Sequence, residues 1–390
     1  MLSNNPVKTN LLPILMFCLL IVSCDISNSD NDNNSAISPP DTYEFTRDGE
    51  STVAFPGQTD RLNMVSEMKS YIATANSGEV ISEQALLAMF ENEGGDGGGN
   101  FSFTSDRQLK NKTFAPDLDD NLFEGIFADA QAASENGNNG VRADNGTAGL
   151  IEREEKGSDI LVDANGREFT QLVEKGLMGA VFFNQIFNVY LTDNRIGPDV
   201  ENEQLREGKN YTDKEHHFDE AYGYFGAPVD FESDWPDSRT GELRFWTKYS
   251  NDADGFLGFN DKVMNAYILG RTAIVNNNQD ELDNQVEVLY ENLELIAAAT
   301  AVHYINSTLG HLDNINQGEA FHTLSEAWAF VNALKYSPFR KISLSQINQI
   351  LNTEFGSNGN FWNVTAAGLN NAKSTLVDIY PDLEPFQDQL

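Results

Sequence analysis

The sequence predicts a mainly α-helical protein, a helical bundle carrying a small N-terminal β-hairpin. Three observations lead there. From Glu168 onward apolar residues recur at helical spacing in runs lying at roughly 168–191, 214–226, 258–276, 281–309, 316–336, 343–353 and 362–379. Breakers such as Gly226-Ala227-Pro228 and Ser337-Pro338 separate these runs, which suits short connections between packed helices. Strand-like alternation is clearest between Tyr43 and Phe55, around Asp48-Gly49, a pair that suits a tight hairpin turn.

Taken in order, residues 1–23 read as a signal peptide. A polar start with Lys8 leads into an apolar run from Leu11 to Val22, too short to span a bilayer stably. The run ends in Ile21-Val22-Ser23-Cys24, the pattern that a lipoprotein signal peptidase needs, so cleavage before Cys24 and lipid on its thiol are expected. The only other cysteine, Cys18, lies in the discarded segment, which leaves no thiol for a disulfide or a metal. Residues 24–42 are acidic, Asn- and Ser-rich and nearly devoid of apolar side chains, and read as a disordered tether.

The domain proper is expected at 43–390, with the hairpin and short helices up to about 160 and the main bundle at about 160–390. After the hairpin, Leu62, Met64, Val65, Met68, Tyr71 and Ile72 form one helical stripe, and Leu86, Leu87, Met89 and Phe90 a second one behind Ser82. Gly94-Gly95-Asp96-Gly97-Gly98-Gly99 and the Asn- and Gly-rich stretch from Ala132 to Asp159 read as surface loops. Asp163-Ala164-Asn165-Gly166 and Asn251-Asp252-Ala253-Asp254-Gly255 resemble pieces of calcium loops but lack the full ligand series, so both read as turns.

Charge narrows the partners. With 25 Lys and Arg against 60 Asp and Glu, the chain repels phosphate backbones and anionic headgroups. Nucleic acid is excluded as a partner on this basis, and membrane contact is expected through the lipid. There is no Gly-x-Ser-x-Gly, phosphate-binding loop, Cys-x-x-Cys or His-Glu-x-x-His, so no serine or cysteine nucleophile can be argued.

All five histidines fall between His216 and His322. His217 and Glu220, three apart on a helix capped by Thr212 or Asp213, share a face, and His216 pairs likewise with Asp219 and Glu220. Glu319, His322 and Glu326 form a polar stripe on an apolar helix. His303 lies in an apolar helix and is the histidine expected to face inward. Each has a plainer explanation: macrodipole-favoured acids, a hydrated helix face, or a satisfied core histidine. Read together, imidazoles and carboxylates without thiolate suit iron, zinc or manganese.

Tyr43-Glu44-Phe45, Gly57-Gln58-Thr59-Asp60-Arg61-Leu62, Gly176-Leu177-Met178-Gly179-Ala180, the segment from His217 to Gly226 and Leu324-Ser325-Glu326-Ala327 together resemble the Bacteroidota lipoprotein family called Domain of Unknown Function 4856. That family has no established activity, so the resemblance implies architecture and location only. The His217 segment also resembles the imelysins, exported helical lipoproteins linked to iron uptake, with His217 and Glu220 matching Gly-x-His-x-x-Glu but Glu215 in place of the glycine. That likeness implies iron or haem acquisition rather than proteolysis.

The resulting expectation is an outer-membrane lipoprotein, on the periplasmic face or the cell surface, that binds a metal or metal chelate, iron or zinc, and serves an uptake receptor. In it His217, Glu220, Glu326, His303 and His322 supply ligands, with His216, Asp219, Tyr224 and Glu319 behind them. A metal-dependent hydrolase and a non-catalytic interaction protein without a site are the alternatives.

Overall fold

A computed structural model describes residues 36–113, 122–313 and 317–390. The signal peptide, Cys24 and the tether as far as residue 35 lie outside the described residues. The chain is tied down from Ile37, whose N–H donates to Asn276 Oδ1 and whose carbonyl accepts from Asn276 Nδ2. Residues Ile37–Leu390 form one compact unit.

The expected hairpin is there. Strands β1 (Thr46–Arg47) and β2 (Glu50–Ser51) pair antiparallel. Both turn residues take positive φ, 54° at Asp48 and 82° at Gly49, as a right-twisted two-residue hairpin requires. Helix α1 (Pro56–Ala73) starts on its proline, and α2 (Glu83–Glu91) is capped by Ser82, whose side chain accepts from Ala85 N. The glycine-rich loop beyond is organised around Asn92, which accepts from Gly97 N at 3.0 Å and donates to the carbonyls of Ser105 and Arg107.

Two segments differ from expectation. The stretch from Ala132 to Asp159 is not one loop but the end of α3 (Leu122–Asn138) followed by most of a second hairpin, β3 (Gly149–Arg153) and β4 (Ser158–Val162). Its Asn and Gly residues hide a short apolar core, with Phe127, Ala130 and Ala133 buried from the helix and Ile160, Leu161 and Val162 from the strand. Residues 251–255 are not a turn either, since they lie inside α7 (Trp246–Leu257). There Lys248 and Asp252 pair one turn apart, and the turn expected from the glycines falls later, at Gly258 with φ 61°. Asp163 does form its turn, with Oδ1 accepting from the N–H groups of Asn165 and Arg167.

The bundle follows. Helix α4 (Phe169–Leu177) continues through wide turns at Met178–Phe183 and Ile186–Tyr190, and every residue from Glu168 to Phe187 is buried. Then come α5 (Asp193–Ile196), α6 (Asp213–Phe225), α7, α8 (Phe259–Val275), α9 (Gln279–Asp313) and α10 (Gln317–Ala333). Thr212 and Glu215 close a capping box at the start of α6. The long α9 packs along α8, α10 and α7, while α11 (Leu344–Gln349) and α12 (Ala366–Ile379) complete the domain, α12 lying back on α9.

Arg271 of α8, fully buried, ties this bundle to the N-terminal hairpin. It donates to Glu215 Oε1 and Asp219 Oδ1, both at 3.0 Å, and to Thr52 Oγ1 at 3.1 Å. Arg47 bonds Glu215 from the hairpin side, while Tyr43 Oη and Ala54 N bond Asp219. Burial pushes the Asp219 carboxyl up to about 6 against the pull of Arg271, so both partners are ionised at neutral pH. Replacing Arg271 with Leu is expected to lower unfolding free energy by about 3–5 kcal/mol, because two buried carboxylates lose their counter-ion. A urea titration that shows a loss below about 1 kcal/mol would refute this role.

Candidate functional site

Beneath the β3–β4 hairpin lies a cavity of about 490 Å³, walled by residues of α1, α4, α7, α9 and α10. Helix α4 brings Thr170, Gln171, Glu174 and Lys175 to it, which the helical period places on one side of the helix while Leu172, Val173 and Leu177 pack elsewhere. Helix α10 contributes His322 and Glu326, one turn apart, and α7 and α9 contribute Tyr249 and Tyr304. The hairpin is pinned over α10 by Arg153, which donates to Glu319 Oε2 from Nε at 2.9 Å and from Nη2 at 2.7 Å. Gly318 permits that seat: a Cβ there would lie 1.8 Å from the Glu152 carbonyl oxygen.

Most charges in the cavity are matched. Glu174 is bridged by Lys69 Nζ at 2.8 Å and by Lys175. Burial alone would raise the Glu174 carboxyl, but Lys175 and Lys69 outweigh it and hold it below the usual range. Burial likewise opposes charge on Lys175, yet Glu174 and then Glu326 push its ammonium well above the ordinary value. His322 Nδ1 meets Glu168 Oε2 at 2.6 Å, and its Nε2 lies 3.6 Å from Glu326 Oε1. Burial, then Tyr249 and Glu326, raise the Tyr304 phenol, which therefore stays protonated.

Three buried atoms of residues on this wall, Thr170 Oγ1, Gln171 Oε1 and Glu326 Oε2, have no well-formed hydrogen bond among the described residues, although the Tyr304 hydroxyl reaches toward the Glu326 carboxylate. Their residues are 4–5 % exposed. Buried polar atoms are nearly always hydrogen-bonded, so three such atoms on residues lining one cavity are a feature that any reading of the cavity has to account for.

The sequence-predicted residues fall into separate places. His322 and Glu326 reach the cavity, and Glu319 anchors the hairpin beside it. His217 and Glu220 lie in another cluster: His217 Nδ1 is 2.8 Å from the Arg195 carbonyl, and Glu220 accepts from Gln58 Nε2 at 2.9 Å and Tyr190 Oη at 3.1 Å. His216 stacks on Tyr211 with ring centroids 4.5 Å apart, its Nε2 lying 3.8 Å from Glu220 Oε2. Tyr224 is buried near Tyr190, whereas Asp219 turns away to Arg271. His303 is a correction. It is exposed, because Ala299, Val302 and Ile305 take the inner face of α9 and leave position 303 outside.

The shared site expected between α6 and α10 is therefore not what these helices build. Among the described residues no group of three or more His, Cys, Asp or Glu side chains is placed to hold a metal ion. The geometry explains why. The two nitrogens of His322 meet different carboxylates on opposite edges of the ring, and His217 Nε2, the free lone pair, faces Arg195 Nη1 at 3.4 Å. Burial lowers the His217 pKa and keeps the ring neutral at pH 7, but a guanidinium stands where a cation would sit.

Thr170, Gln171, Glu174 and Lys175 were not among the expected site residues. Their signal was available as a polar pattern at offsets of zero, one, four and five inside a run with apolar neighbours.

Fold and cavity together define a class: an α-helical bundle protein with a charged cavity beside a β-hairpin. Within that class the chain belongs to the family described as Domain of unknown function (DUF4856), whose model matches residues 40–380. No curated protein and no solved structure matches it.

Because the Thr170 hydroxyl is unpartnered, Thr170→Val is expected to equal or exceed the wild type in stability, by up to about 1 kcal/mol. A loss larger than about 1 kcal/mol on urea unfolding would mean that the hydroxyl is satisfied in the free protein.

Proposed function

We propose that this is a lipid-anchored binding protein of the outer membrane whose cavity takes a small organic molecule rich in hydrogen-bond donors, of the amino sugar or polyol class. The observation that carries the reading is the set of orphaned atoms, Thr170 Oγ1, Gln171 Oε1 and Glu326 Oε2, on a cavity wall beside Tyr249 and Tyr304. Amide and carboxylate oxygens only accept, unless the acid is protonated, so the missing partner supplies O–H or N–H groups. Two tyrosine rings offer the apolar faces against which a sugar ring or an alkyl amine packs. The volume, about 490 Å³, lies in the range of small-molecule pockets.

The metal-chelate reading suggested by the imelysin likeness has weaker support, since Arg195 repels a cation at His217. The lipid anchor rests on Ile21-Val22-Ser23-Cys24 at the end of an apolar run. Mass spectrometry of protein extracted from membranes is expected to show an acylated Cys24 as the first residue. Cys24→Ala is expected to leave the signal attached, and an unmodified Cys24 in the membrane-extracted protein would overturn the anchor.

Binding is tested by calorimetry with hexoses, hexosamines and short polyamines. Glu326→Gln and Gln171→Leu are each expected to weaken the binding class about tenfold or more, since each removes an acceptor oxygen from the buried wall. Silence across all three classes, or variants that bind like the wild type, would defeat the proposal. Binding of amines alone would assign the orphaned Glu326 oxygen to an ammonium group.

A further inference from the structure

A second cavity, of about 380 Å³, opens beside the first half of α9, where Phe339 and Lys341 from the segment after α10 and Tyr380 at the end of α12 meet that helix. Its lining is mostly apolar, and it shares no residue with the cavity beneath β3–β4. Three aromatic rings give it its character. Tyr290 is backed by Phe187, with ring centroids 5.4 Å apart, and Phe339 stands edge-on to Tyr290 at 4.8 Å. Tyr380 is buried. Phe339 is 68 % exposed, the most exposed large apolar side chain among the described residues, so the protein by itself leaves this ring in water.

The polar atoms behind the rings are already satisfied. Buried Glu294 accepts from Tyr380 Oη at 2.6 Å and from Lys341 N and Ser337 Oγ, both at 2.7 Å. Burial and then Glu294 push the Tyr380 phenol above its ordinary value, so its O–H remains the donor. Tyr290 Oη donates to the Leu191 carbonyl at 2.6 Å. Both tyrosines therefore offer the cavity carbon faces and no free hydroxyl.

The rim is acidic. Asp283, Glu287 and Glu291 stand four residues apart along α9, and with Glu294 they set four carboxylates against one lining cation, Lys341, which lies 3.3 Å from Glu291. Gln279 donates to Asp283 and stands between it and Lys214, while Arg340 turns back to the Ser337 carbonyl. Outside the described residues the sequence has no Lys or Arg except Lys8, in the signal segment, so no further cation of the mature chain balances this rim.

We infer that this cavity binds a small organic cation of the quaternary ammonium class, seated against Tyr290, Phe339 and Tyr380 in the field of the α9 carboxylates. A charge clothed in methyl groups is attracted to the faces of aromatic rings and needs no hydrogen-bond acceptor, and here the wall acceptors are already taken. A bare metal ion would leave the rings unused, and a neutral apolar ligand would leave the acidic rim unanswered. The inference does not rest on the sugar or amine reading of the other cavity.

The full mature chain is titrated with choline and with tetramethylammonium, by calorimetry at constant ionic strength. Both are expected to bind, their N-methyl proton resonances moving upfield under the rings. Potassium and the uncharged carbon isostere of choline should bind at least about tenfold more weakly. Phosphocholine, whose phosphate would meet the acidic rim, should also bind less well; tighter binding of it would overturn a free cation as the occupant. Phe339→Ala, at an exposed position that spares the fold, is expected to weaken choline about tenfold, whereas Phe339→Trp should retain it. Lys341→Gln should tighten binding about threefold, because it removes the lining cation. Choline bound no more tightly than its isostere, undiminished affinity in Phe339→Ala, or no heat at millimolar choline would overturn the inference. Affinity lost in Glu326→Gln but kept in Phe339→Ala would move the cation to the cavity beneath β3–β4 and overturn it equally.

Discussion

The arrangement depends first on one buried guanidinium. Arg271 is surrounded by Glu215 and Asp219 of α6 and by Thr52 behind the first hairpin, and those carboxylates are in turn bonded by Arg47, Tyr43 and Ala54. A buried ion network adds little net stability compared with apolar packing, but removing one member is costly, so it enforces one docking of the hairpin on the bundle. It also decides which acids of α6 are free for other work. Glu215 and Asp219 belong to Arg271, four residues apart on one face, and Glu220 is left on the neighbouring face with His216.

That division explains why a His-x-x-Glu motif gave no metal cluster among the described residues. The spacing does bring His217 and Glu220 to the same side of α6, as helical geometry demands. What completes a site, though, comes from other elements, and here α1 brings Gln58 to Glu220 and α5 brings Arg195 to His217, a donor and a cation where further ligands would stand. Local spacing fixes the face; the sign of the field in front of it is set by residues far away in the chain.

Legibility follows the same line. The hairpin at Asp48-Gly49, the Ser82 and Thr212 caps and the helices beyond Glu168 were readable because each signal lies within a few adjacent residues. The second hairpin was hidden because Asn and Gly dominate its surroundings, and its strands contribute only short apolar runs such as Ile160-Leu161-Val162. Helix α7 was missed because Asp252, Asp254 and Gly255 carry turn composition, which the Lys248–Asp252 pair and packing through Trp246 and Tyr249 override. Half of the cavity was visible, as the Glu319, His322 and Glu326 stripe. The α4 half was not, since Glu174 and Lys175 resemble solvent-exposed charges until the helix is known to be buried all round.

Burial on that scale turns the orphaned atoms into an argument. A fold that satisfies Glu168 with His322 and Glu174 with two lysines has the means to satisfy polar side chains in this region. Leaving Thr170, Gln171 and Glu326 each short of a bond costs free energy that a valine, a leucine or a methionine would not. The ligand proposed for the cavity beneath the hairpin would offset that cost, provided that these side chains turn toward it on binding.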